Sequence, residues 1–259
     1  KETIEASNVN DYIINQHQEQ YSRGKEGFGI IRIDAKKKVE IDRACEPTKF
    51  LLDLYMKQST MIIAHHRHPT STENALDQTH PMVVKADQLK HDYYIVHNGI
   101  ISNDSELRLK HLELGFEYIT EYIEIGRYNQ TRLRKWNDSE AVAIELALFI
   151  EGKISAIGTD NVAAFVILQV DKKTGTAKKV FFGKNGSYSE LKMSKTRGKL
   201  RISSEGEGAD VTPNMLYSFN IDDNEMVLAH KKLPFKKAAI KEIEDPKPVI
   251  ITTETKVST

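Results

Sequence analysis

Apolar residues recur at helical spacing from Asn8 to Ser22, where Val9, Tyr12, Ile13, His17 and Tyr21 form a stripe behind the capping candidates Ser7 and Asn8. Arg23-Gly24 ends that segment. Gly27 to Asp34 (GFGIIRID) and Met61 to His66 (MIIAHH) read as strands, with a short helix around Phe50, Leu51, Leu54 and Tyr55 between them and Pro47 in its first turn. Tyr93 to His97 (YYIVH) reads as a buried strand that runs straight into Asn98-Gly99. Asn103 and Glu106 make a capping-box pattern ahead of Leu107, and Gly115 is placed to stop that helix. Asp138 is the cap expected for a helix from Ser139 to Glu151, apolar on most faces and closed by Gly152.

The second half changes period. Asn161 to Val170, Ala177 to Gly183, Lys199 to Ser204, Met215 to Ile221 and Glu225 to His230 read as strands. Turn signals at Lys173-Thr174-Gly175, Lys184-Asn185-Gly186 and Asp222-Asp223-Asn224 separate them and predict an antiparallel meander. Beyond Lys231 the chain becomes rich in Lys, Glu, Pro and Thr and loses periodicity after Ile243, which predicts an extended arm over 233–259 after one domain over 1–232. Helices in the first half and hairpins throughout give an α+β class.

Composition adds exclusions. Lys plus Arg equals Asp plus Glu at 37 each, so no global field favours nucleic acid or an acidic membrane surface. A single cysteine, Cys45, rules out an intramolecular disulfide, and no apolar run approaches the roughly 18 residues of a membrane-spanning helix. His65, His66, His68 and His80 invite a metal reading, since His66 and His68 share a strand face, but no carboxylate or thiol pattern completes such a site; neither metal nor cofactor is expected.

Three stretches then stand out together: Arg23-Gly24-Lys25-Glu26-Gly27-Phe28-Gly29, Ala64-His65-His66-Arg67-His68-Pro69-Thr70, and Val96-His97-Asn98-Gly99-Ile100-Ile101. With Asn137-Asp138-Ser139-Glu140 as a fourth, and in this order, the chain resembles the glutamine-hydrolysing domain of class II glutamine amidotransferases, which are N-terminal-nucleophile hydrolases. The resemblance covers roughly Val9 to Leu148. It implies a four-layer αββα sandwich of two mainly antiparallel sheets between helices.

It also implies roles. Asn98 and the Gly99 backbone N–H match the oxyanion donors, Arg67 the clamp for the α-carboxylate of glutamine, Asp138 the partner of its α-ammonium, and Thr70 a further pocket residue. Plainer readings stand beside these: Asn98-Gly99 as an ordinary turn, Arg67 in a structural ion pair, Asp138 as a helix cap.

The family's nucleophile is an N-terminal Cys, whereas position 1 here is Lys and the first residues, KETIEAS, are polar. Neither Lys1 nor Cys45 is expected to replace it, Cys45 lying in a charged, surface-like stretch. Two histories fit: the sequence in hand lacks the start of an active enzyme, or maturation removes that start and leaves the fold without the reaction. The second implies a silent structural or interaction protein of a processed assembly such as a virion; the first, a glutaminase domain feeding ammonia to a separate synthase. His68 stands where the family has an aromatic residue, and Glu117 to Trp136 reads as an insertion whose tyrosines and arginines suit a contact surface. Glutamine, protein partners or further copies of the chain are the expected partners, with a cytoplasmic or virion setting.

Overall fold

The computed structural model describes residues 9–21, 24–68, 75–125, 132–186, 190–196, 199–222 and 229–236. The first half alternates helices with strands: α1 (Val9–Gln20), β1 (Gly27–Ile33), β2 (Val39–Ala44), α2 (Pro47–Met56), β3 (Met61–Arg67), β4 (Met82–Val84), β5 (His91–Asn98) and α3 (Asp104–Glu113). A hairpin of β6 (Tyr122–Ile125) and β7 (Arg132–Lys135) precedes α4 (Asp138–Ile150). The remainder is β8 (Ala164–Asp171), β9 (Ala177–Lys184), β10 (Lys192–Thr196), β11 (Lys199–Ser203), β12 (Ala209–Asp210), β13 (Met215–Asn220) and β14 (Ala229–Lys232).

Three apolar clusters define four layers. Ile14 of α1 and Phe50 and Leu54 of α2 pack on Phe28 and Ile30, which face one side of the sheet β2-β1-β3. Ile31, Ile33 and Ile63 on its other side meet Tyr94, Val96 and Leu168 of the six-stranded sheet β14-β13-β9-β8-β5-β4. Tyr93, Ile95 and Ile167 on the far side of that sheet pack against α4 and Leu107 of α3. Period-two alternation along β1 and β5 thus feeds two cores each, and the αββα sandwich is the result.

The meander is real for β8, β9, β13 and β14, which are neighbours in one antiparallel sheet. The strand expected near Lys199 leaves it: β10, β11 and β12 form a sheet of their own. The last strand pairs Met215 with Lys232 and Ser218 with Ala229, so it reaches two residues past the expected end at His230, while 225–228 lie outside the described residues. Leu233 is buried and Phe235 bridges to Ile157, so the residues just after β14 pack on the domain.

Two caps differ from expectation. Asn103 makes no side-chain cap; its amide donates to the Gly158 carbonyl at 2.9 Å and its oxygen accepts from Asp160 N–H at 3.2 Å, tying down a distant loop instead. The cap of α4 is Asn137, whose oxygen accepts from Ser139 N–H at 3.0 Å, which frees the Asp138 carboxylate for another partner.

Candidate functional site

The site is built on β1, where Gly27 and Gly29 face the second sheet. Register places Gly29 between Arg43 of β2 and His65 of β3, and Gly27 opposite Arg67. A methyl group on Gly29 would overlap the His80 carbonyl, and one on Gly27 would come within 3.0 Å of Thr79 Oγ1. The missing side chains therefore open a groove in which the segment Thr79-His80-Pro81 lies. Arg43 fixes it from the side, its guanidinium donating to the Pro81 carbonyl at 2.5 Å.

That segment brings imidazoles together. His80 packs on His65 with ring centroids 4.1 Å apart and the rings tilted by 43°, and neither ring nitrogen of His80 has a hydrogen-bond partner. Burial, reinforced by the nearby His66 and His97, pushes His65 down to about 3. Burial holds His80 well below the ordinary range, with His65, His97, Arg67 and Arg43 adding to the effect, and burial pushes His97 down to about 4. All three are neutral at pH 7. On the opposite face of β3, His66 turns to α1 and its Nε2 lies 3.0 Å from His17 Nδ1. His68 is exposed and reaches Glu26 at 3.3 Å. Among the described residues no group of three or more His, Cys, Asp or Glu side chains could hold a metal ion.

Arg67 is buried, and burial lowers its pKa against the opposing influence of Cys45, Tyr122 and Glu26. The partial burial of Cys45 corrects the surface-like reading of that residue. Ala44 pairs with Phe28, and Cys45, one residue beyond the end of β2, is half-buried. Charge-rich neighbours in the sequence gave no sign of this partial burial.

The third wall is the turn after β5 and the start of α4. Asn98, exposed at the strand end, pairs with Ala164. Gly99 has no room for a side chain: a Cβ would lie 2.5 Å from that of Ala163 and 2.9 Å from His97 Nε2. Asp138 Oδ2 accepts from Ile101 N–H at 3.1 Å, joining the first turn of α4 to this loop. Burial raises the Asp138 pKa, against the Ile101, Ser139 and Asp138 N–H groups and the Ser139 side chain, which favour the carboxylate. Asn137 donates to the Gln78 carbonyl at 3.0 Å, binding α4 to the Thr79–Pro81 segment as well. The Asn98-Gly99 turn is thus joined to the first turn of α4 through His97–Ser139 and Ile101–Asp138, while Arg67 and Thr79 both border Gly27. Thr70 lies outside the described residues.

This architecture matches solved structures. A glutamine phosphoribosylpyrophosphate amidotransferase from B. subtilis, complexed with ADP and GMP, superposes with a TM-score of 0.53 over 84 % of this chain and 45 % of its own, at 14 % identity. The chain has a class II glutamine amidotransferase-like fold. A structure described as the allosteric regulatory enzyme of purine biosynthesis agrees, with a TM-score of 0.51 at 14 % identity over 81 % of this chain and 43 % of its own. The chain spans less than half the length of either. A glutamine aminotransferase class-II domain protein from Silicibacter pomeroyi is similar at 14 % identity, with a TM-score of 0.46 over 80 % of this chain and 91 % of its own. No protein-family model matches the sequence, and no curated protein does. None of the described helices is long and apolar enough to cross a membrane.

Proposed function

We propose that this chain is a glutamine-recognising domain that does not turn glutamine over by itself and serves as a structural or interaction component of a processed assembly, a virus particle being one such setting. The observation that supports the reading is the pair of hydrogen bonds, His97 to Ser139 and Ile101 to Asp138, that join the Asn98-Gly99 turn to the first turn of α4. Arg67 takes the α-carboxylate, Asp138 the α-ammonium, and Asn98 with the Gly99 N–H the amide oxygen, with Thr70 completing the pocket. The domain is taken as 1–232 with 233–259 as an arm, of which 233–236 are described, and there Leu233 and Phe235 pack on the domain. Ile119 and Ile123, exposed at the β6–β7 insertion, offer its contact surface.

Isothermal titration calorimetry with L-glutamine, run beside an ammonia-release assay, tests this. Saturable binding without ammonia is the expected result; ammonia release overturns the silent role, and absence of binding overturns the pocket. The second reading, a glutaminase domain supplying a separate synthase, is favoured by the exposure of Asn98. It requires ammonia release by a longer form of the protein carrying an upstream cysteine, lost on Asn98→Ala.

A further inference from the structure

At the opposite end of β5 from Asn98, the six-stranded sheet extends beyond its helix cover. α4 packs chiefly on β4 and β5. Past its last turn a cavity of about 400 Å³ opens over the outer face of β8, β9, β13 and β14, with Ile150, Phe181 and Leu216 as its apolar lining and Gln169, Lys179 and Lys231 as polar groups.

Register explains the assembly. Lys179 is paired with Gln169 and stands two residues before Phe181; Lys231 is paired with Leu216 on the far side of the cavity. Each ammonium lies by an aromatic ring, Lys231 Nζ 4.3 Å from the Phe149 centroid and Lys179 Nζ 5.5 Å from that of Phe181. Neither forms an ion pair among the described residues. Glu151, at the end of α4, is already occupied by the N–H groups of Lys90 and His91 and by the Tyr93 hydroxyl. Gln169 is held in turn by the Tyr93 oxygen at 3.0 Å. Partial burial, and then the like charge of Lys179, depress the Lys231 pKa. Two cations over an apolar floor with no counter-ion among the described residues repel each other, and an anion between them removes that repulsion.

We propose that this cavity binds a small amphipathic anion, an aryl or alkyl carboxylate or phosphate, with its headgroup between Lys179 and Lys231 and its apolar body on Phe181, Leu216 and Ile150. The two ends of the ligand answer to the two halves of the lining, so neither a bare anion nor a neutral hydrocarbon satisfies it. The site is separate from the glutamine pocket and does not depend on that reading.

Phenyl phosphate is the probe, titrated calorimetrically into the whole chain beside inorganic phosphate and benzyl alcohol. Saturable one-to-one binding of phenyl phosphate, tighter than either control, is expected. The double variant Lys179→Gln/Lys231→Gln should weaken it about tenfold or more, the loss typical of charge-assisted contacts. Lys231→Met, which keeps an unbranched stem against Phe149, should weaken it less than the double change while leaving thermal unfolding unaltered. Equal affinity in the double variant, or no saturable binding by the unaltered chain, overturns the proposal.

Discussion

His97 Nδ1 lies 2.9 Å from Ser139 Oγ, both side chains buried, so one hydrogen bond joins the last turn of the β5 strand path to the first turn of α4. It holds the Asn98-Gly99 turn at a fixed distance from Asp138. Ser139→Ala leaves the imidazole nitrogen unpaired in a dry site, a loss of about 1–3 kcal/mol. For a domain of this size that lowers Tm by about 2–4 °C per kcal/mol, read by calorimetry. Unchanged melting would show that the contact does not hold the two walls together.

A second expectation concerns acid. His65 is pushed down to about 3 and His66 and His97 to about 4, with His17 and His80 also lowered, all chiefly by burial. A depressed imidazole stays neutral in the fold while the unfolded chain takes up its proton near pH 6.5. Stability is therefore full above about pH 6.5 and falls as pH drops towards 4, by up to about 1.4 kcal/mol per pH unit for each imidazole still neutral in the fold. Denaturant midpoints measured from pH 7.5 to 4.5 should decline steeply, and His80→Phe should flatten the curve. A flat profile in the unaltered protein would refute the buried-histidine account.

The glycines separate into two kinds. Gly29→Ala drives a methyl group into the His80 carbonyl and should cost roughly 3 kcal/mol or more, because backbone must move on both sides. Gly152, at φ +72° with nothing within 4 Å of an added Cβ, loses only its left-handed freedom, so Gly152→Ala should cost about 1–2 kcal/mol. Urea unfolding of both variants distinguishes a close-approach glycine from a helix-stop glycine.

Much of this arrangement is legible in the sequence. The apolar runs of β1, β3, β5, β8 and β9 and the stripes of α1 and α4 are long enough for their periods to be read, and the four short motifs lie on them in order. What escapes is set by distant partners. β2, with its charged residues alternating along VEIDRA, has no apolar run, and it becomes a strand through pairing with β1. Asn103 looks like a cap but is claimed by Gly158 and Asp160. His80 gives no signal beyond its type; it reaches the site because Gly29 leaves space for its backbone. Cys45 is half-buried although its charged sequence neighbours suggest a surface position.

Asp138 combines a structural and a proposed recognition role, and two substitutions separate them. Its Oδ2 accepts from Ile101 N–H, so Asp138→Ala removes a buried acceptor and should destabilise the protein by about 1–3 kcal/mol as well as abolish glutamine binding. Asp138→Asn keeps an amide oxygen for the Ile101 N–H but removes the charge proposed to face the ammonium of glutamine. Its stability should change by less than about 1 kcal/mol, while glutamine affinity falls about tenfold or more, as expected for loss of a charge-assisted contact. Calorimetric titration and thermal melts on the same samples give both quantities. If Asp138→Asn binds glutamine as tightly as the unaltered chain, the carboxylate is a structural acceptor for the loop and not a recognition group.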